Sequence, residues 1–433
     1  MVEASQKPSS PVVGPSKPRL WRILGPGLIT GASDDDPSGI ATYSQAGAQL
    51  GYALGWTLLL TYPLMVVVQS MSARIGRTTG RGLAGNLREH YPNWVLQSIV
   101  ALLFVANTLN VGADLSAMAE ATRLVWPSCP TWLLVIFFGA LCAGGQIFLE
   151  HTRYVAALKW LTLSLFSYFA VIAVVHVPWS EVAHGVLVPR FSQHRDFWMM
   201  AVAILGTTIS PYLFFWQAAQ EVEDTKSHPL RAPLRRKPEQ AKNALARIQI
   251  DTLVGMAFSN LVALAILVTA SATLHAAGHR EIESAAQAAE ALRPLAGDFA
   301  FALFALGIVG TGLLSVPVLA GSAAYALGEA RRWPVGLARR PLDAKAFYAA
   351  IVVATFLGAS LTATSVNAVT ALVWVAVINA FVAVPVMGLL TLMTRNKRIM
   401  GRFVVSRHWS ALGWLTTGLM AAAGATFLWS TLH

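Results

Sequence analysis

The sequence predicts an all-α protein that crosses a membrane as a bundle of about eleven helices. Three observations predict it. Of 433 residues, 55% are hydrophobic and 12% are charged, about half the charged share of a soluble domain. Apolar segments approach or exceed the ~20 residues that cross a bilayer. Lysines and arginines fall unequally into alternate connections between those segments.

The eleven segments run over residues 23–48, 51–73, 96–118, 131–150, 154–176, 197–220, 250–274, 298–328, 346–364, 366–393 and 409–431. Lipid offers the backbone no hydrogen-bond partners, so such segments are helical. Residues 1–20 carry Pro, Ser and Lys without an apolar run. They read as a disordered cytosolic tail rather than a signal peptide, with residues 21–433 forming a single transmembrane domain.

Orientation follows from the basic residues. With the N-terminus inside, 27 of the 32 lysines and arginines lie on the inner side and 5 on the outer. The largest inner group is Lys226, Arg231, Arg235, Arg236, Lys237, Lys242 and Arg247. This asymmetry fits the positive-inside rule. It predicts a multi-pass protein of the cell (inner) membrane with its C-terminus outside. It also explains the net charge of +11 through loops facing an anionic leaflet, without nucleic acid. Fourteen tryptophans read as interface anchors near segment ends. Cys129 and Cys142 are the only cysteines, which argues against a disulfide framework or structural zinc.

Two segments are interrupted. The first contains Ser33-Asp34-Asp35-Asp36-Pro37. Ionisable groups at that depth cost several kcal/mol, so they should face a cavity or a cation. Pro37 lacks an amide hydrogen and pushes Asp36 out of the α region. The helix should therefore unwind there and free carbonyls such as that of Ser33. The sixth segment contains Gly206-Thr207-Thr208-Ile209-Ser210-Pro211. Paired breaks in corresponding segments of two halves mark an inverted-repeat transporter with a midplane site. Carboxylate, carbonyl, hydroxyl and amide oxygens suit Mg²⁺, Mn²⁺ or Ca²⁺. Asp36 is the central ligand of this reading. Asp34 and Asp35 serve either as outer-shell or steering groups, or as caps in a solvated vestibule. The acidic run Glu221 to Asp224 reads as a solvated loop, with attraction of exiting cations as the alternative.

The breaks resemble those of the Nramp family of divalent metal transporters. The matching residues are Gly25-Pro26-Gly27, Asp36-Pro37, the stretch from Gln69 to Ala84, His90-Tyr91-Pro92, Asp114-Leu115, Gly206 to Tyr212 and Asn396 to Gly401. The resemblance covers nearly the whole chain. It implies a LeuT-like (APC) fold with two inverted repeats of five helices plus one. It also implies metal contacts from Asp36 and from the carbonyls of Ser33 and Thr207.

Departures from the family pattern matter as much. The family's asparagine after Asp-Pro is replaced at Gly39, and its methionine by Ser210. Its proton-linked histidine is replaced by Tyr212, and a glutamate after Asp114 by Ala117. A helix 10 glutamine aligns with Ala376, and Asn379 one turn on offers an amide instead. These changes resemble the Nramp-related magnesium transporters. They imply a wider site, with Gly39 and Ser210 leaving room for the waters that Mg²⁺ retains. Tyr212 stands as an outer-shell or vestibule residue, and Asp114 is read toward the outer end of its helix. Transport of Mg²⁺, and also Mn²⁺, without protons is the expectation. The cation is cargo rather than cofactor, and the bundle is expected to be monomeric. The alternatives are a proton-coupled Mn²⁺/Fe²⁺ symporter, a leucine-transporter-like amino-acid symporter, and an intramembrane Mg²⁺-dependent prenyltransferase pairing Asp34–Asp36 with Glu221–Asp224. The last would make the chain an enzyme, which the mid-segment position of the aspartates disfavours.

Overall fold

The computed structural model describes residues 30–31, 33–148, 165–228, 230–362 and 367–432. The expected tail, the start of the first segment and most of the first half of the fifth lie outside the described residues. Helices account for every regular element, and no strand occurs among the described residues. In chain order the main helices are α1 Pro37–Leu50, α2 Gly55–Thr79, α3 Leu83–His90, α4 Asn93–Val125 and α5 Thr131–Phe148. They continue as α6 Phe166–Val174, α7 Trp179–Leu187, α8 Arg195–Thr208, α9 Pro211–Ser227 and α10 Ala241–Ala270. The last are α11 Ala285–Glu290, α12 Ala300–Arg331, α13 Lys345–Leu361, α14 Ala368–Arg395 and α15 Arg407–Leu432.

Eight helical stretches among the described residues are long and apolar enough to cross a membrane. One of them, Pro37–Thr79, has 43 residues. A continuous helix of that length would extend about 65 Å, twice a bilayer core. A 3-10 turn at Gly51–Leu54 divides it, beginning with Gly51 at φ 58°. The 17-residue α13 is shorter but apolar.

Two packed groups organise the bundle. In one, α9 lies along α2, and α10 lies along α1 and α2. Helix contact here is backbone-close: a Cβ added to Gly76 in α2 would stand 2.2 Å from the Ala218 carbonyl oxygen of α9. In the other, α4 lies along α12 and α13. Asn107 of α4 donates to Leu319 O at 2.9 Å and Ser322 Oγ at 2.7 Å on α12. Small residues permit such approaches, since lipid supplies no hydrophobic drive for helix association.

Gly206 is the tightest case, because its added Cβ would fall 1.9 Å from the Ala376 carbonyl oxygen of α14. Gly206→Ala must push α8 and α14 apart, so it is expected to cost about 1–3 kcal/mol. Thermal unfolding in detergent checks this, with Gly418→Ala as control, since nothing lies within 4 Å of that added carbon.

Three expectations change. The sixth segment continues as helix to Ser227, so Glu221 to Asp224 is not a solvated loop, and Glu221 is fully buried. A helix keeps its backbone bonds satisfied, and Arg247 holds the Glu221 side chain at 2.5 Å. Trp216 is not an interface anchor. It is buried, with its ring edge-on to Tyr325 at 6.2 Å. Asp114 lies within the 33-residue α4 and is fully buried, not toward a helix end, because α4 continues to Val125 before it stops.

Candidate functional site

Both expected breaks are present in the backbone. Thr30, Gly31, Ser33 and Asp34 are helical, Asp35 and Asp36 are not, and α1 then starts at Pro37. Asp36 takes extended angles (φ −74°, ψ 172°) and caps α1. Proline suits the first position of a helix, where its missing amide hydrogen costs nothing. The second break repeats the device. Ile209 (φ −120°, ψ 61°) and Ser210 (φ −81°, ψ 133°) separate α8 from α9, which starts at Pro211.

The breaks are tied to each other. The Tyr212 hydroxyl donates to the Ser33 carbonyl at 3.0 Å, and Thr30 Oγ1 donates to Gln217 Oε1. Gln69 of α2 donates to the Leu213 carbonyl at 3.0 Å, and Ser72 donates to the Phe214 carbonyl. The turn carrying Thr30 to Asp34 is thereby joined to α9, and α9 to α2. The carbonyl that unwinding frees at Ser33 thus has a protein donor.

All three aspartates are buried, at 1–2% exposure. They do not share one point, and among the described residues no three His, Cys, Asp or Glu side chains converge. Asp36 Oδ1 accepts from Ser38 Oγ at 2.6 Å and Gly39 N at 2.8 Å. Its Oδ2 accepts from Asn110 Nδ2 of α4 at 3.1 Å. Asp34 and Asp35 turn to α10 instead, where Ser259 Oγ lies 2.7 Å from Asp34 Oδ2 and 3.2 Å from Asp35 Oδ1. One hydroxyl carries one hydrogen, so it cannot serve both at once. This burial replaces the expectation of a solvated vestibule: packing against α10 removes the pair from water.

The remaining residues separate into crowded and open positions. At Gly39 an added Cβ would lie 3.3 Å from both Thr207 Oγ1 and the Tyr43 ring. The space expected beside Gly39 is thus filled by those two side chains. The Ser210 hydroxyl lies 2.7 Å from Gly206 O and 3.0 Å from Thr207 O, so it closes the last turn of α8. Asn379 of α14 is 1% exposed, and neither its oxygen nor its nitrogen has a hydrogen-bond partner.

Sequence reasoning missed Asn110 and Ser259. The signal for Asn110 was its place one turn before Asp114 in an apolar helix, since helical neighbours four apart share a face. Asp114 Oδ2 accepts from Ser315 Oγ at 2.9 Å, and its Oδ1 has no partner. Asp34 Oδ1, Asp35 Oδ2 and Asn110 Oδ1 are likewise buried without a donor. Buried polar atoms are nearly always paired, with protein, water or an ion. Such a concentration of hard, unpartnered oxygens around two helix breaks matches the chemistry of a divalent cation.

A cavity of about 270 Å³ lies toward the other end of α1, lined by Gln45, Gln49, Asp196, Glu281 and Glu283 among others. Its carboxylates stand at the start of α8 and in the connection before α11, opposite the arginine-rich connections that follow α2 and α9.

The divalent metal cation transporter MntH of Ralstonia nicotianae is 29% identical over 429 residues, covering 96% of this chain and 92% of that protein. A variant of the Eremococcus coleocola manganese transporter has a similar structure, with TM-score 0.74 at 18% identity, covering 96% of this chain and 88% of that one. MHP1, a nucleobase-cation-symport-1 family transporter, shares the fold at TM-score 0.52 and 14% identity, covering 94% and 91%. The bundle thus has the LeuT-like architecture that the resemblance implies. The model of natural resistance-associated macrophage protein-like sequences matches residues 27–430, and the chain belongs to that Nramp family.

Proposed function

We propose that this protein carries divalent metal cations across a cell membrane, chiefly Mg²⁺ and also Mn²⁺, by alternating access to a midplane site between the two breaks. The observation that carries the reading is Asp36, a buried carboxylate at a helix break, with the unpartnered oxygens of Asn110, Asp114 and Asn379 on neighbouring helices. Relatives named as divalent metal cation and manganese transporters support the substrate class.

Preference for Mg²⁺ is supported by donor chemistry. Every group named at the site is an oxygen donor, and Ser210 stands where the family has a thioether. Without sulfur, the site has no special affinity for softer metals. Because Tyr43 and Thr207 fill the space beside Gly39, a partly hydrated ion requires those side chains to move apart when the site opens. The basic connections support a cytosolic N-terminus, and the carboxylate-lined cavity then serves as the outer entrance.

We infer that transport is uncoupled from protons. Tyr212, which stands where the family has a proton-linked histidine, donates its hydroxyl hydrogen to a backbone carbonyl, a structural task. The membrane potential alone favours entry of a divalent cation by about 4.6 kcal/mol per 100 mV. One observation favours the proton-coupled reading, namely that Asp114 is buried beside the site with a free oxygen. Proteoliposomes loaded with a pH dye decide between them. Mg²⁺ uptake without internal acidification is expected, and acidification in step with uptake would sink the uncoupled reading. The prenyltransferase alternative loses its second acidic motif, because Glu221 and Asp224 are engaged by Arg247 and Arg231.

A further inference from the structure

We propose that Asn110 is a ligand of the transported cation, supplying its side-chain oxygen from α4 beside Asp36. The inference rests on the reading of Asp36 as the carboxylate that binds the cation. Asn110 is fully buried. Its Nδ2 donates to Asp36 Oδ2 at 3.1 Å, while its Oδ1 has no partner. Asp36 Oδ1 already accepts two bonds. On Oδ2, the acceptor position facing α4 is the one that the Asn110 amide holds.

The amide can present either of two atoms at that place. The last torsion of asparagine is broad and roughly two-fold, so a half-turn exchanges oxygen and nitrogen with little strain. Without a cation, the nitrogen faces the carboxylate, because two oxygens would repel. After a half-turn, Asn110 Oδ1 takes the place of Nδ2, 3.1 Å from Asp36 Oδ2. Two adjacent oxygens on an octahedral ion with bonds of ~2.1 Å stand about 3.0 Å apart. The spacing is thus already that of neighbouring ligands on Mg²⁺, and Mn²⁺ accepts the same oxygen set. The helix that lost its amide at Gly39 has a replacement approaching from α4.

Asn107, one turn earlier, provides the internal control. Its amide hydrogens go to Leu319 O and Ser322 Oγ on α12, so its nitrogen is engaged in the scaffold and it does not touch Asp36.

The test uses the full chain in proteoliposomes, with Mg²⁺ and Mn²⁺ uptake measured separately for Asn110→Leu, Asn110→Asp and Asn107→Ala. Asn110→Leu should raise KM for both ions by about tenfold or more, as expected for a lost ligand worth at least ~1.4 kcal/mol. Asn110→Asp keeps a ligand oxygen but cannot donate to Asp36, so KM should stay within about fivefold of the parent. A residue that merely holds Asp36 in place by donation predicts the reverse, since two facing carboxylates repel. Equal damage from the Asp and Leu variants therefore overturns the proposal, as does an unchanged KM in Asn110→Leu. If Asn110→Leu does not fold, Asn110→Asp decides alone by the same limit. Asn107→Ala should lower thermal stability and leave both KM values unchanged; a matching rise in KM would reduce Asn110 to a packing role. Failure of the underlying reading is distinguishable, because then Asp36→Asn would itself leave uptake intact.

Discussion

Asp36→Asn is expected to reduce Mg²⁺ and Mn²⁺ uptake at least ~100-fold while the protein remains folded, about 3 kcal/mol of lost cation binding. The two halves of this expectation have separate causes. Asp36 both caps α1 and carries the charge. Asparagine caps helices about as well as aspartate, so the bonds from Ser38 Oγ and Gly39 N to one side-chain oxygen survive. Asn110 can rotate to offer its oxygen to the new amide. What disappears is the negative charge, and a neutral amide compensates a dehydrating divalent ion far less well. Asp36→Ala removes the cap as well, which adds about 1 kcal/mol of destabilisation. Uptake assays and thermal unfolding on both variants separate the roles. Retention of uptake within tenfold in a folded Asp36→Asn protein would exclude the carboxylate as a ligand.

The breaks were legible in the sequence because their causes are local. Pro37 and Pro211 each remove a backbone donor, and the residue before each takes extended angles, as steric exclusion requires. The segments were legible from hydropathy for the same reason: every residue of a spanning helix must tolerate lipid or protein. The partners of the site were not legible. Asn110 meets Asp36 from 74 positions along the chain, and Ser259 meets Asp34 from 225. Both contacts depend on how α4 and α10 pack, which periodicity does not encode. Motif logic also misassigned the state of individual groups. For Asp34 and Asp35 it offered outer-shell or steering roles, or caps in a solvated vestibule; the solvated alternative does not hold, because packing against α10 buries both beside the Ser259 hydroxyl. It placed space beside Gly39 by comparing residue volumes, whereas neighbouring Tyr43 and Thr207 occupy it.

Arg247→Ala is expected to be the most destabilising single change outside the site, by about 3–5 kcal/mol, the cost of leaving a buried ion without its partner. Arg247 lies in the second turn of α10, against the end of α9. Its Nη2 is 2.5 Å from Glu221 Oε2 and 3.7 Å from Asp224 Oδ2, and its Nη1 is 4.0 Å from Asp251 Oδ2. The Glu221 side chain is 0% exposed and that of Asp251 1%. Arg231 also binds Asp224 at 2.5 Å, so Asp224 keeps a cation when Arg247 is lost, and Glu221 does not. Arg77 of α2 reaches the same place, donating to Ala232 O at 2.6 Å and Gln240 Oε1 at 2.8 Å. It bonds Thr225 of α9 and the connection between α9 and α10 rather than Glu221 itself, so its nearby charge offsets the loss of Arg247 only in part. The double variant Arg247→Ala with Glu221→Gln removes the stranded charge and should recover a large part of the loss. Thermal unfolding of the parent, both single variants and the double variant measures the coupling directly. Additive effects would show that Arg247 acts through packing of its stem alone. A large coupling would make α9 and α10 one unit at this end. Together with the ties from α2 to α9 and from α9 to the turn at Thr30 to Asp34, it would let the two breaks shift as a body against α4 and α12, which is the motion alternating access requires.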